Sequence, residues 1–318
     1  MYSLAFAIAS SVLGSTLIPG EPIPLPGTKG RFDFIRVDTA GNRLLLGHEE
    51  NKTLDVFDLS FKKLLKAVPT GTAQDAAIDA RRGRYYVSGN DPGRMVIVDS
   101  ATLEVTGEVP APSDTDLIAF NPTTGFVYEC NDKAPEVWVI DPEAKKIVTT
   151  IKLNGKGVED LAFDPGYKHL YQAVKGKDAI AVIDPAGNST VATWPCAPGA
   201  GVHGIAVVPE FEGLLVACAE KLVLLNRSTG KLVATAPTGA RVDEIAYDSG
   251  LHLAYCAGRQ GVITVVKVGS DQLNFLENVP DPPRTGSIAV DSKTHTVWIA
   301  YSKNDECFVQ PFGVENSK

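Results

Sequence analysis

The sequence predicts an all-β protein, a seven-bladed β-propeller of four-stranded antiparallel blades, on three observations. Short apolar runs open at Asp33, Gln74, Asp116, Glu159, His203, Asp243 and Gly286, at spacings of 41, 42, 43, 44, 40 and 43 residues. A repeat in the low forties is the length of one blade, a unit too thin to bury both faces until it stacks against its neighbours. Each unit also carries four short runs rich in β-branched and aromatic residues, punctuated by Asp-Pro, Thr-Gly and Gly-Asn turns. No stretch shows helical periodicity.

Blade three shows the four elements in order: Asp116-Leu-Ile-Ala-Phe, Gly125-Phe-Val-Tyr-Glu-Cys, Glu136-Val-Trp-Val-Ile-Asp and Lys146-Ile-Val-Thr-Thr-Ile-Lys. Blade four repeats them from Glu159, His169, Ala179 and Ser189. The first run lines the central channel, and its alternate face holds a small residue at one fixed place: Ala77, Ala119, Ala162, Ala206, Ala246 and Ala289. Small side chains let the inner strands approach the axis. Blade one carries Arg36 there instead, and a guanidinium in a packed channel requires an anionic partner.

An Asp or Asn closes the first run (Asp38, Asp79, Asn121, Asp164, Asp248, Asp291) and the third (Asp58, Asp99, Asp141, Asp184, Asn226) in most blades. Repetition of this kind assigns them to hairpin turns, where Asx side chains bond the local backbone. His169, His252 and His295, just before the second run, are read as hairpin residues too. Blade seven lacks a fourth run after Cys307-Phe-Val-Gln-Pro-Phe. Gly20-Glu-Pro-Ile-Pro-Leu-Pro-Gly-Thr resembles the outer strands and is expected to complete that blade and close the ring. Its Pro22, Pro24 and Pro26 alternate, so their missing N–H groups share the side that an outermost strand leaves open.

The repeat makes 19–318 one domain of the 318-residue chain. Residues 1–18 precede it; 4–18 are uncharged and apolar, too short to span a bilayer, and suited to a secretory signal cleaved near Val12-Leu-Gly14. Export to the periplasm or exterior is therefore expected. A net charge of -8 with no basic block excludes nucleic acid and membrane insertion, leaving a small-molecule ligand or a protein as partner and a monomer as the expected state. The five cysteines, Cys130, Cys196, Cys218, Cys256 and Cys307, lack metal spacing and are expected to be small buried hydrophobes, with one disulfide open in an exported chain.

The starts of the innermost strands gather at one mouth of a propeller's channel. That places Asp33, Gln74, Asp116, Glu159, His203 and Asp243 around one axis, with Asp75, Asp160 and Glu244 immediately after three of them. Loop residues including His48, Glu49 and Arg259 surround them. Arg36, His48 and Glu49 complete the expected ligand-binding set. Converging carboxylates repel one another, and three arrangements relieve this. A calcium ion takes oxygen ligands from Asp33, Asp116, Glu159 and Asp243; or Arg36 and His203 pair with part of the ring; or the carboxylates splay into water. His203 is the one histidine placed to act as a general base, beside Asp243 or Glu159. No Gly-x-Ser-x-Gly elbow, phosphate loop or His-Glu-x-x-His is present.

The units resemble YVTN-type β-propeller repeats of surface-layer and exported bacterial proteins. The matching residues are the openings Leu161-Ala-Phe-Asp-Pro and Ile288-Ala-Val-Asp, the second runs Tyr85-Tyr-Val-Ser and Leu170-Tyr-Gln-Ala, the Val139 and Val182 Val-Ile-Asp runs, and Gly230-Lys-Leu-Val-Ala-Thr. The resemblance covers residues 20–314 and implies the fold. A looser one, to calcium-dependent lactonase propellers of the gluconolactonase and paraoxonase type, implies Asp33, Asp116, Glu159 and Asp243 as metal ligands, without that family's Asn ligands at the opening positions. Two functions follow as expectations: a non-enzymatic exported propeller binding a ligand or protein at an acidic mouth, and a calcium-dependent lactonase with His203 as base.

Overall fold

The computed structural model describes residues 17–315, apart from Ala240 and Pro283. Its strands form the seven expected blades, six of them built from four consecutive antiparallel strands. Blade one comprises Ile35–Asp38, Arg43–His48, Thr53–Asp58 and Lys63–Pro69; blade four comprises Val158–Asp164, His169–Val174, Ala179–Asp184 and Ser189–Pro195. Neighbouring innermost strands pack in chain order, and that of blade seven meets that of blade one, which closes the ring. Among the described residues the only helical pieces are two 3-10 turns, Lys175–Lys177 and Pro209–Phe211.

Successive side chains of a strand face opposite ways, so each blade offers one apolar face to each neighbour. Tyr128 and Cys130 face blade four, whereas Val127 and Ile118 face blade two. The described core is accordingly divided into seven clusters, one per interface between blades. All five cysteines are buried and unbridged in these interfaces or beside them.

The turn residues behave as the repeat predicts. Asp38 Oδ1 accepts from the Ala40 and Gly41 N–H groups, Asn121 Oδ1 from Thr123 and Thr124, and Asp99 Oδ1 from Ala101 and Thr102. The histidines need one correction. His252 and His295 take the left-handed turn position, with φ of 53° and 56°, but in blade four Lys168 holds it (φ 55°) and His169 already starts the second strand.

Blade seven consists of Ser287–Asp291, Thr296–Lys303 and Glu306–Val314, completed from the other end of the chain by Leu17–Pro19 and Ile23–Pro24. Leu17 lies opposite Val314 and Ile23 opposite Val309. Pro22, Pro24 and Pro26 are exposed while Leu25 is buried, as an outermost strand with open N–H positions requires. The closing segment begins earlier than Gly20: Leu17 is fully buried in the cluster between blades six and seven, so Leu17 and Ile18 belong to the propeller. The remainder of the apolar N-terminal segment, with the expected cleavage site at Val12-Leu-Gly14, lies outside the described residues.

Candidate functional site

Four blades interrupt their inner ladder at the mouth. The register between first and second strands shifts between Ala73 and Ala76, Thr115 and Ile118, Val158 and Leu161, and Val242 and Glu244. A bulge re-aims side chains that a regular strand would send to opposite faces. In blades two, four and six it turns the residue after the opening one towards the axis, and Asp75, Asp160 and Glu244 are buried there at 0%, 3% and 1% exposure.

Arg36 from blade one meets all three. It donates twice to Asp75, Nε to Oδ1 and Nη2 to Oδ2, each at 2.8 Å, and lies 3.4 Å from Asp160 and 3.6 Å from Glu244. The carboxylates are also held by N–H groups of the next blade: Ile118 to Asp75 (3.4 Å), Ile205 to Asp160 (2.8 Å) and Ile288 to Glu244 (2.7 Å). One cation cannot neutralise three buried anions. Burial outweighs Arg36 and pushes Asp160 up to about 6 and Glu244 well above the carboxylate range. Phe34 caps this hub, its ring 5.0 Å from the guanidinium, and reaches across into the cluster of blades three and four. Arg36 thus has the partners its position demanded, and it helps divide the channel.

Above the hub lie the opening residues. Asp33 is partly buried, and desolvation, with Asp243 and Glu49 nearby, pushes its carboxyl up to about 8. Asp116 is raised well above its ordinary value by burial, then by Asp33 and Glu159. Glu159 accepts from Lys175 Nζ at 3.0 Å, and Asp243 accepts from Arg259 Nε at 2.7 Å. His203 stands between them, 3.9 Å from each carboxylate. Its Nε2 is 2.8 Å from Lys175 Nζ and its Nδ1 2.9 Å from the Gly201 carbonyl. An ammonium has only protons to give, so Nε2 is the acceptor and Nδ1 the donor. The lone pair a general base would use is therefore engaged by Lys175.

The structure thus brings together Asp33, Asp116, Glu159, His203 and Asp243. Gln74 is buried rather than open, and Glu49 is tied to Arg31. His48 is not at the mouth surface at all. It is fully buried at the seam of blades one and seven, 2.7 Å from Asp55, 3.6 Å from Cys307 and stacked on Phe32. Its position at the end of the second strand carries it under the loop instead of into it. Among the described residues, Asp33, Asp116, Glu159 and Asp243 included, no three His, Cys, Asp or Glu side chains are disposed to hold a metal ion. The physical reason is that Arg259 and Lys175 already occupy Asp243 and Glu159.

Nor is the mouth simply acidic. A cavity of 470 Å³ is lined by Glu159, Lys175, His203, Arg241, Asp243 and Arg259, with Ala219 and Val242 as its apolar side chains. It shares Arg241, Asp243 and Arg259 with a neighbour of 340 Å³ that adds Arg31 and Arg284. Lys175, Arg31, Arg241 and Arg284 were not singled out by the repeat, since they precede the opening residues or follow the second strand. The one signal for three of them is their offset: Arg31, Arg241 and Arg284 each stand two residues before an opening residue, where blades four and five have Gly157 and Gly201. At the far end of the channel, below Arg36, a larger space of 610 Å³ is walled mainly by apolar residues such as Ala77, Ala119, Phe120 and Phe163.

Fold and site define a seven-bladed propeller with a charged, cavity-bearing mouth. The chain belongs to the cytochrome D1 heme domain family, whose model matches residues 35–209, more than half its length. It is also 26% identical over 150 residues to the uncharacterized protein YncE of Salmonella typhimurium, and 25% over 150 residues to that of Salmonella typhi. Each match takes in 47% of this chain and 38% of the relative. Among solved structures it resembles hydrazine synthase of Kuenenia stuttgartiensis (TM-score 0.74, 14% identity, 90% of this chain and 98% of that one). It likewise resembles the RRP9 WD40 repeats (TM-score 0.80, 12% identity, 94% and 99%). At such identities the likeness is one of fold alone.

Proposed function

We propose that this chain is a non-enzymatic, exported propeller of the YVTN type that binds a small polar ligand at the mouth of its channel. The observation that carries the reading is the His203 cluster. A preformed 470 Å³ cavity is within the range of small-ligand sites, and Glu159, Lys175 and His203, like Asp243 and Arg259, are already fixed by one another. Groups so fixed recognise a ligand without rearranging, whereas catalysis by His203 would first require Lys175 to leave its Nε2. The test is a thermal-shift and calorimetric screen of small polar compounds, alongside assays of lactone and ester hydrolysis. Binding that weakens on Lys175→Met or His203→Ala, with no turnover, supports the reading. Hydrolysis abolished by Glu159→Gln or His203→Ala would overturn it. Export is tested by fractionating cells and sequencing the mature N-terminus; a chain retained in the cytoplasm with residues 1–18 intact would remove that part.

The family name raises a haem as ligand, and the residues do not suit one. Haem iron takes an axial His, Cys, Met or Tyr, and the macrocycle presents two broad faces for burial. The upper cavity has His203, but its Nε2 faces Lys175, and its apolar lining is Ala219 and Val242. The lower cavity has apolar walls, yet none of its lining residues is His, Cys, Met or Tyr. No step is therefore assigned to a haem.

A further inference from the structure

Two mouth arginines adopt a backbone conformation that arginine rarely takes. Arg241 and Arg284 have φ of 57° and 70°; Gly157 and Gly201, at the same offset in blades four and five, have 62° and 65°. Glycine enters this left-handed region freely, whereas a Cβ there clashes with the backbone. A fold that supplies glycine at this place in two blades and strained arginine in two others gains nothing in stability from the exchange.

Both arginines are exposed, and among the described residues neither guanidinium has an ion-pair partner. The other two around the same 340 Å³ cavity are paired, Arg31 with Glu49 and Arg259 with Asp243. Glu50 is engaged with the Arg31 backbone N–H at 2.9 Å. Burial, then Asp243 and Glu49, raises the Asp33 carboxyl beside them to about 8, which favours its neutral form and weakens its repulsion of an anion. Gly286 keeps the cavity open towards Asp243: a Cβ at that position would stand 2.6 Å from Asp243 Oδ2.

We propose that Arg241 and Arg284, flanked by Arg31 and Arg259, clamp the anionic group, a carboxylate or phosphate, of a small ligand whose polar remainder lies in the adjoining cavity beside Lys175 and His203. Planar guanidiniums match both oxyanions by paired hydrogen bonds. The inference rests on the mouth being the ligand site, and it places anion-binding groups beside carboxylates in a chain of net charge -8.

The test is calorimetric titration of the full chain with inorganic pyrophosphate and with citrate at constant ionic strength, before and after the double substitution Arg241→Gly and Arg284→Gly. Glycine is what sister blades carry, so the variant is expected to fold with an unchanged or higher melting temperature. Saturable binding of one or both anions, weakened at least about tenfold in the variant, is the expected result. Preference for pyrophosphate identifies a phosphate ligand and preference for citrate a carboxylate. Equal binding by variant and wild type, or no binding of either anion, overturns the proposal. Lys175→Met separates the two readings. Anion binding lost there but kept in the double variant sinks the arginine clamp alone, and binding that hydrogen exchange maps away from the mouth sinks both.

Discussion

Arg36 departs from the repeat by a single residue, and its consequences run through the channel. The other six blades place alanine at its position, so Arg36→Ala restores the repeat's own residue yet strands Asp75, Asp160 and Glu244 without their cation. Breaking a buried charge network by removing one partner costs about 3–5 kcal/mol. The variant is expected to lose about that much near pH 8 and less near pH 5, where Asp160 and Glu244 take up protons, as measured by urea unfolding at both values. An equal loss at the two would mean that Asp160 and Glu244 do not titrate as their burial dictates. The sequence made Arg36 conspicuous and set the three acids beside the opening residues. What it could not display was the bulge that turns them inward, because a register shift is a property of paired strands.

At the scale of elements, the outermost strand of blade seven is the one supplied from the other end of the chain. Leu17–Pro19 and Ile23–Pro24 cover the edge of Glu306–Val314, and Leu17 fills the space between two blades. Removing residues through Pro24 uncovers that edge, a template for pairing with another chain. The shortened protein is expected to unfold at a lower temperature and to self-associate, as read by calorimetry and by light scattering on a sizing column. A monodisperse product with the original melting temperature would show that the segment is dispensable. Three alternating prolines made this element legible in the sequence. The arginine rim was hard to see because Arg241 and Arg284 break no hydrophobic pattern, and their offset gains meaning only beside the φ angles they share with Gly157 and Gly201.

Across the whole molecule, four acids and one histidine are shifted the same way. Burial raises Glu129 to about 8 and Asp281 to about 7, and Asp33 lies near 8 and Asp160 near 6, all above ordinary values of 3.8 or 4.5. For His48, burial favours the neutral ring, but hydrogen bonds to Asp55 and Cys307 and the Asp55 charge prevail and bring it to about 9, above 6.5. Each group binds its proton more tightly folded than unfolded, so its contribution is complete below the unfolded pKa and is lost as pH rises through the folded one. The melting temperature should therefore fall between about pH 5 and pH 9, and a scan that rises or stays flat would contradict this. Glu129 offers a control. It is fully buried, neither carboxyl oxygen has a hydrogen-bond partner among the described residues, and Leu46, Val87, Val216 and Ile299 hold its place in other blades. Glu129→Leu should stabilise by about 1–3 kcal/mol and flatten the scan. Seven blades were countable from the spacing because every blade needs the same core. This acid was not marked out, since an isolated Glu in a strand looks the same whether it faces water or a neighbouring blade.

The seam also sets a clock on synthesis. Leu17 pairs with Val314, so a strand made early must wait for one made almost 300 residues later, an interval on the order of tens of seconds at ordinary translation rates. Throughout that time the growing arc of blades has an unpaired face at each end. A cell making this protein must keep those two faces apart from those of other nascent arcs.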